Sequence, residues 1–180
     1  MNERLQKSPL GYLIVLGVLC LLITNMFLLE RMNTMINSFR SIQGQVIEPL
    51  ASGISAPNFV STDQFGNEVS LASYNNKPIL LAFMSLSCPY CDELYPHLQQ
   101  FYEINGREIP VIMFSLGSEE GTYDLVEREN LTFSVLEWNE EITSNYTVPG
   151  TPFIYVLNSN HVIETSGFAT DREQLDAILQ

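Results

Sequence analysis

Two closely spaced cysteines are the residues of this chain best suited to chemistry. Cys88 and Cys91 are separated by Pro89 and Tyr90, and an apolar run precedes them. We predict that Cys88 lies at the start of a helix, where unpaired backbone N–H groups and the helix dipole favour thiolate over thiol. Cys91, one turn later, can then attack a mixed disulfide on Cys88 and release the bound polypeptide. The spacing therefore predicts reversible dithiol–disulfide exchange.

A cysteine pair with this spacing has two other interpretations, half of a zinc site and a purely structural disulfide. A structural zinc site needs about four ligands, and the nearest further candidate is His97, six residues beyond Cys91. A disulfide across a loop of about four residues would stabilise the fold only weakly, because it closes little chain entropy. We therefore predict no metal, and no cofactor other than the redox-active disulfide Cys88–Cys91.

The elements around the cysteines predict an α/β fold, with a central mixed sheet flanked by helices. Residues 79–84 are apolar throughout, as in a strand that is buried on both faces, and a helix at 91–104 follows the cysteines. Asp171 is a plausible N-cap for the last helix. The other predicted elements are a hairpin around 63–67, strands at 109–114 and 133–136, helices at 122–129 and 140–146, a hairpin of strands 153–157 and 161–165, and a helix at 171–179.

The N-terminal part of the chain predicts a membrane anchor. Residues 10–29 carry no charge and span about 30 Å as a helix, the thickness of the hydrocarbon layer. A buried core helix and a cleaved signal peptide are the alternatives, but the run is long and no small-residue cleavage site follows it. We predict a short cytoplasmic tail at 1–9, a single-pass anchor at 10–29, a stalk at 30–52 with a flexible join, and a compact domain at 53–180. The short leading tail favours an extracytoplasmic domain in the cell membrane.

The composition excludes several classes of protein. The chain is 46% hydrophobic and 16% charged, which rules out a disordered chain, and its net charge is −13. From residue 41 onward there are 4 basic and 19 acidic residues, a net charge of −15. Sequence-independent binding of nucleic acid needs Lys and Arg, so we predict no nucleic-acid partner.

Several further segments surround the cysteines in an order that resembles a known family. They are Ala56-Pro57-Asn58-Phe59, Gly66-Asn67-Glu68-Val69-Ser70-Leu71, Lys77-Pro78-Ile79-Leu80-Leu81-Ala82-Phe83, Pro96 and Val148-Pro149-Gly150-Thr151-Pro152. With Cys88-Pro89-Tyr90-Cys91, they make residues 54–180 similar to the membrane-anchored, thioredoxin-like proteins of the TlpA/ResA group. The anchor and the cysteine motif look most like the MauD-type accessory proteins, which are implicated in maturing the disulfide-rich small subunit of methylamine dehydrogenase.

The resemblance implies a thioredoxin-like fold and assigns roles to the site residues. Cys88 is the nucleophile and Cys91 the resolving thiol. A cis bond between Thr151 and Pro152 faces the cysteines, where Thr151 offers backbone hydrogen bonds to a client chain and Pro152 shapes its groove. Pro89 and Tyr90 complete the substrate-binding set. The partners implied are a client protein with cysteines and a membrane redox partner.

This chain departs from the family at several positions shortly before the first cysteine. Many relatives carry a buried acidic residue six positions before the first cysteine, and Ala82 occupies that place here. Met84 and Ser87 stand where relatives often have Trp. Ser85 echoes the S/T-x-x-C pattern of peroxiredoxins, but Leu81 replaces their proline. We therefore expect a membrane-tethered thiol–disulfide oxidoreductase, with a non-catalytic holder of a maturing partner, or a thiol peroxidase, as alternatives.

Overall fold

The structure is a computed structural model that describes residues 9–43 and 47–180, with side chains described for 11–34 and 47–180. The chain divides into two units, Met1–Val46 and Ile47–Gln180. Apart from Pro9, the predicted tail lies outside the described residues.

The first unit contains one long helix, α1, which runs from Pro9 to Gln43. Its segment Gly11–Thr34 has 24 residues and a mean hydropathy of 2.5, which makes it long and apolar enough to cross a membrane. The helix continues past the predicted end of the anchor at residue 29, so most of the predicted stalk is helical.

The second unit is built on a five-stranded sheet with helices on its faces. After a small hairpin of strands β1 (Val60–Thr62) and β2 (Glu68–Ser70), a 3₁₀ helix spans Leu71–Tyr74. The sheet strands are β3 (Ile79–Ser85), β4 (Val111–Leu116), β5 (Ser134–Glu137), β6 (Phe153–Leu157) and β7 (Ile163–Phe168). The helices are α2 (Pro89–Asn105), α3 (Glu119–Glu129), α4 (Glu140–Asn145) and α5 (Arg172–Ile178).

The sheet order, β5-β4-β3-β6-β7, puts β3 at the centre. This strand pairs parallel with β4 and antiparallel with β6, so the sheet is mixed as predicted. All seven residues of β3 are buried, which explains why its sequence is apolar without alternation. The helix that carries the cysteines leaves from the C-terminal end of this central strand.

The core has one layer on each face of the sheet, because successive side chains of a strand point to opposite faces. Leu80, Ala82 and Met84 of β3 pack with the buried side of α2 and with residues of α3 and α5. Leu81 and Phe83 face the other layer, which α4 and the segment before β1 cover. The cysteine-bearing helix therefore packs on the first layer.

The join between the two units differs from the prediction. The compact unit begins at Ile47 rather than at residue 53. The Gly53 N–H donates to the Ile163 carbonyl at 2.8 Å, and the Leu50 N–H donates to the Tyr155 hydroxyl at 3.0 Å. Gly53 has φ +88°, a conformation that glycine adopts without strain. Gly53, which the sequence predicts to belong to a flexible join with Pro49, is therefore hydrogen-bonded to β7.

Several element bounds are shifted from the predicted ones for local reasons. Helix α2 starts at Pro89, two residues earlier than predicted, because proline fits the first helical position. Strand β4 starts at Val111, since Pro110 has no N–H to give to a ladder. Strand β7 starts at Ile163 because His161 has φ +58° and belongs to the preceding turn. Asp171 caps α5 as predicted, accepting from the Gln174 N–H at 2.9 Å.

Candidate active site

A tight turn connects the central strand to α2 and places both cysteines. The Cys88 N–H donates to the Ser85 carbonyl at 3.1 Å, and the Leu86 N–H donates to the Leu116 carbonyl of β4 at 3.0 Å. The Ser85 and Ser87 hydroxyls are 3.1 Å apart. Cys88 is the N-cap residue of α2, with extended backbone angles, so its side chain lies at the N-terminal end of the helix.

Leu86 fixes this turn against the start of α3. An ideal Cβ at Gly117 would lie 2.2 Å from Leu86 Cδ1, and one at Gly121 would lie 2.8 Å from the same atom. Any side chain at Gly117 would therefore displace Leu86. The sequence analysis missed this contact, because nothing in the local pattern around Gly117 indicates which residue approaches it.

The Cys88 thiol is accessible and more acidic than an ordinary cysteine. Its side chain is half-buried, and its Sγ donates to the Thr151 carbonyl at 3.3 Å. Burial works against the thiolate, but hydrogen bonds from the Cys91 and Thr151 side chains, and from the Cys91 and Tyr90 N–H groups, outweigh it. The net result is a lowered pKa of Cys88, as its place at a helix N-terminus predicts.

The Cys91 thiol has the opposite character. It is fully buried in the core layer under α2, and its N–H donates to the Cys88 carbonyl at 3.0 Å. Burial, followed by the hydrogen bond with Cys88, raises the pKa of Cys91 to about 12. The two neighbouring thiols thus differ: Cys88 is half-buried and its pKa is lowered, whereas Cys91 is fully buried and its pKa is raised.

The loop before β6 faces the cysteines from across the turn. The Thr151–Pro152 bond is cis, as the resemblance implies. Pro152 is buried, whereas Thr151 is half-buried and in contact with Cys88 through its carbonyl. Pro89 and Tyr90 are exposed on the outer side of the turn. The structure therefore brings together Cys88, Cys91 and Thr151, and it leaves the Tyr90 ring free for contact with a partner.

An aromatic side chain that the sequence analysis did not single out borders the same loop. Phe168, at the end of the edge strand β7, is 52% exposed and packs edge-on against Phe153 at a centroid distance of 5.1 Å. An ideal Cβ at Gly150 would lie 3.3 Å from its ring. Tyr95 and Phe153 are also near the cysteines in the fold, but both are buried and belong to the core.

The remaining candidate residues lie outside this cluster. Glu93 is exposed on α2, and Ala82 is fully buried, so no carboxylate occupies the place where relatives carry an acid. Among the described residues, no group of three or more His, Cys, Asp or Glu side chains is arranged to hold a metal ion. The candidate site thus consists of the two cysteines and the loop that contains Thr151.

Comparison with known proteins gives the family. Residues 53–168, more than half of the chain, match the AhpC/TSA family. The chain belongs to the AhpC/TSA family. Solved structures agree on the fold: the thioredoxin domain of a thiol-disulfide oxidoreductase from Bacteroides vulgatus superposes with a TM-score of 0.64 at 20% identity, over 73% of this chain and 99% of that one. The predicted thioredoxin-like fold is therefore confirmed.

The relatives confirm the predicted resemblance to the ResA and MauD proteins. The methylamine utilization protein MauD of Paracoccus versutus is 28% identical over 128 residues, which cover 71% of this chain and 64% of MauD. The thiol-disulfide oxidoreductase ResA of Geobacillus kaustophilus is 27% identical over 114 residues, which cover 62% of this chain and 66% of ResA. This AhpC/TSA family member therefore spans just under two thirds of the length of these two relatives.

Proposed function

We propose that this protein is a thiol–disulfide oxidoreductase that acts on a client polypeptide through Cys88 and Cys91. The proposal rests on one observation: the two neighbouring thiols differ in burial and in pKa. Cys88 is accessible and its pKa is lowered, while Cys91 is buried and its pKa is raised to about 12. Of these two thiols, Cys88 can begin the reaction, and Cys91, its neighbour at the start of α2, can finish it without a second protein.

The exchange consists of two attacks by sulfur. The Cys88 thiolate attacks one sulfur of a client disulfide, which forms a mixed disulfide and releases the other client sulfur as a thiolate. Cys91 then loses its proton and attacks Cys88 Sγ, which releases the second client sulfur and forms the Cys88–Cys91 disulfide. The client gains two electrons and the enzyme loses two. The reverse sequence oxidises a client dithiol, so the redox partner sets the direction.

The groove for the client runs along the loop that contains Thr151. The Thr151 carbonyl accepts the Cys88 S–H in the absence of a client, so it already points toward the reacting sulfur. We assign Thr151 and Pro152 to client binding, with the backbone of Thr151 pairing with an extended client segment. Pro89 and Tyr90 form the opposite wall, and the exposed Tyr90 ring gives it apolar surface.

We further propose that α1 anchors the enzyme in the cell membrane as a single pass. The segment Gly11–Thr34 satisfies the length and composition that a spanning helix needs. We place the compact domain on the extracytoplasmic side, where a client acquires disulfides and a membrane redox partner can recycle the couple. The likeness to MauD supports a role in maturing a disulfide-containing enzyme or peptide.

Trapping the intermediate tests this function. In full-length protein in its native membrane, Cys91→Ser should hold a client on Cys88 as a mixed disulfide that dithiothreitol releases. The matched control, Cys88→Ser, should trap none, because Cys91 is buried and Cys20 lies within the proposed membrane-spanning segment. Client maturation that survives Cys88→Ser would instead favour a non-catalytic holder. Rapid consumption of hydrogen peroxide by the purified protein would favour a thiol peroxidase.

A further inference from the structure

Phe168 is an exposed aromatic residue at the rim of the proposed client groove. It is the last residue of β7, the outermost strand of the sheet, and it is 52% exposed. Single exposed apolar side chains are common on protein surfaces, so exposure alone indicates no function. Phe65, between β1 and β2, is exposed to a similar extent, at 59%. What distinguishes Phe168 is the segment that it contacts.

The Phe168 ring lies against both ends of the segment that contains the cis peptide bond. Phe168 and Phe153 are directly opposed in the register of β6 and β7, and their rings meet edge-on with centroids 5.1 Å apart. At the other end of the segment, an ideal Cβ on Gly150 would lie 3.3 Å from Cε1 of the Phe168 ring. Glycine at position 150 therefore leaves the space in which this ring packs on the loop.

This packing puts the ring close to the reacting sulfur. Thr151 follows Gly150 directly, and its carbonyl oxygen is 3.3 Å from Cys88 Sγ. Neighbouring Cα atoms are about 3.8 Å apart, so the Phe168 ring contacts the loop one residue away from the group that touches Cys88. A client strand advances about 3.3 Å per residue, so side chains within two positions of its cysteine come within reach of the ring.

The chemistry of this wall favours an apolar client residue. Covering the exposed Phe168 ring removes apolar surface from water, which is favourable. A polar client side chain at the same place would give up hydrogen bonds to water and find no partner on the ring. Tyr90, on the opposite wall of the proposed groove, is 62% exposed. The groove therefore presents apolar surface on both sides of the loop that the client approaches.

We propose that Phe168 is a specificity-determining residue of the exchange, selecting clients that carry an apolar side chain within two residues of the reacting cysteine. The occupant of this surface is the client segment that pairs with Thr151, because the surface continues the proposed groove. Phe168 transfers neither electrons nor protons: the Cys88 thiolate attacks one client sulfur, and the other leaves as a thiolate. The inference rests on the proposed function, since it has a role only if a client reacts at Cys88.

Two symmetric disulfides test the selection on full-length protein in lipid nanodiscs. Each is the dimer of one end-capped peptide, either Lys-Leu-Leu-Cys-Leu-Leu-Lys or Lys-Ser-Ser-Cys-Ser-Ser-Lys, so both have the same charge and both sulfurs are equivalent. Acid quenching and chromatography give the second-order rate constant for the release of free peptide by reduced protein. We expect the unaltered chain to prefer the leucine peptide on the order of tenfold, the low end for a small apolar group in a pocket. Phe168→Ala should slow the leucine peptide alone and so remove most of that preference.

Phe65→Ala is the matched control, since it removes a phenylalanine of similar exposure outside the groove and should keep the full preference. The selection is overturned if the unaltered chain reacts equally with both peptides, if Phe168→Ala slows both equally, or if the preference survives in Phe168→Ala. If Phe168→Ala does not fold, Phe168→Thr takes its place with the same expected results, because a branched side chain suits a strand. An unaltered chain that reduces neither peptide refutes the proposed function itself.

Discussion

Replacing Thr151 by valine should make Cys88 a weaker nucleophile at neutral pH. The Thr151 side chain is one of the groups that lower the pKa of Cys88, whereas its carbonyl accepts the S–H and so favours the thiol. Valine keeps the shape and the carbonyl but removes the hydroxyl. The hydrogen bonds from the Tyr90 and Cys91 N–H groups remain, so the thiolate is weakened rather than abolished.

The expected loss of thiolate in Thr151→Val follows from the strength of one hydrogen bond. A hydrogen bond to a charged group contributes about 1.5–3 kcal/mol. Cys88 is half-buried, and solvent replaces part of the lost bond, so we take about half of that energy. Since about 1.4 kcal/mol is a factor of ten, the thiolate population at pH 7 should fall about three- to tenfold.

The assay is the rate of reaction of reduced protein with iodoacetamide, followed from pH 5 to 10. The rate for Thr151→Val should lie below that of the unaltered chain at neutral pH and meet it at high pH, where Cys88 is ionised in both. Thr151→Ser, which keeps a hydroxyl, should restore most of the rate. If valine and serine behave alike, or if valine raises the rate at neutral pH, the hydroxyl does not stabilise the thiolate and the reasoning fails.

Three further outcomes follow from the packing and the two thiols. At pH 8, iodoacetamide should label Cys88 and spare Cys91, whose thiolate fraction is about 10⁻⁴ for a pKa of about 12; peptide mapping that finds equal labelling contradicts this. Gly117→Ala should destabilise the fold by about 1–3 kcal/mol in urea titration, because the new methyl overlaps Leu86. In the Gly117→Ala chain, Leu86→Ala should lower the free energy of unfolding by less than it does in the unaltered chain. Strictly additive losses would argue against the contact. Tyr146→Phe should cost about 1–3 kcal/mol in the same titration, because a part-buried carbonyl loses its donor, and an unchanged midpoint would disprove that.

The fold could be predicted where the local sequence is compatible with only one kind of local structure. The apolar run of β3 requires burial on both faces, and the structure places it at the centre of the sheet. Asp171 has the side chain that an N-cap needs, and it caps α5. Cys88 precedes a proline that suits a first helical turn, so its place at the N-terminus of α2 followed from the motif.

The parts that could not be predicted depend on contacts between distant segments. Gly53 looked like a flexible join, but its N–H bonds to a residue more than 100 positions away in β7. The contact of Leu86 with Gly117 joins two loops that no periodicity connects. The burial of Tyr95 likewise depends on how α2 packs on the sheet.

One helical turn gives the two thiols different surroundings. Because the second thiol is buried, the protein also needs a route by which that thiol can lose its proton. Cys88 benefits from the N–H groups of the first turn because it precedes them, whereas Cys91, three residues later, has rotated into the core. The burial that keeps Cys91 from reacting with stray oxidants also separates its proton from solvent. A chain with alanine at position 82 must move that proton by another route.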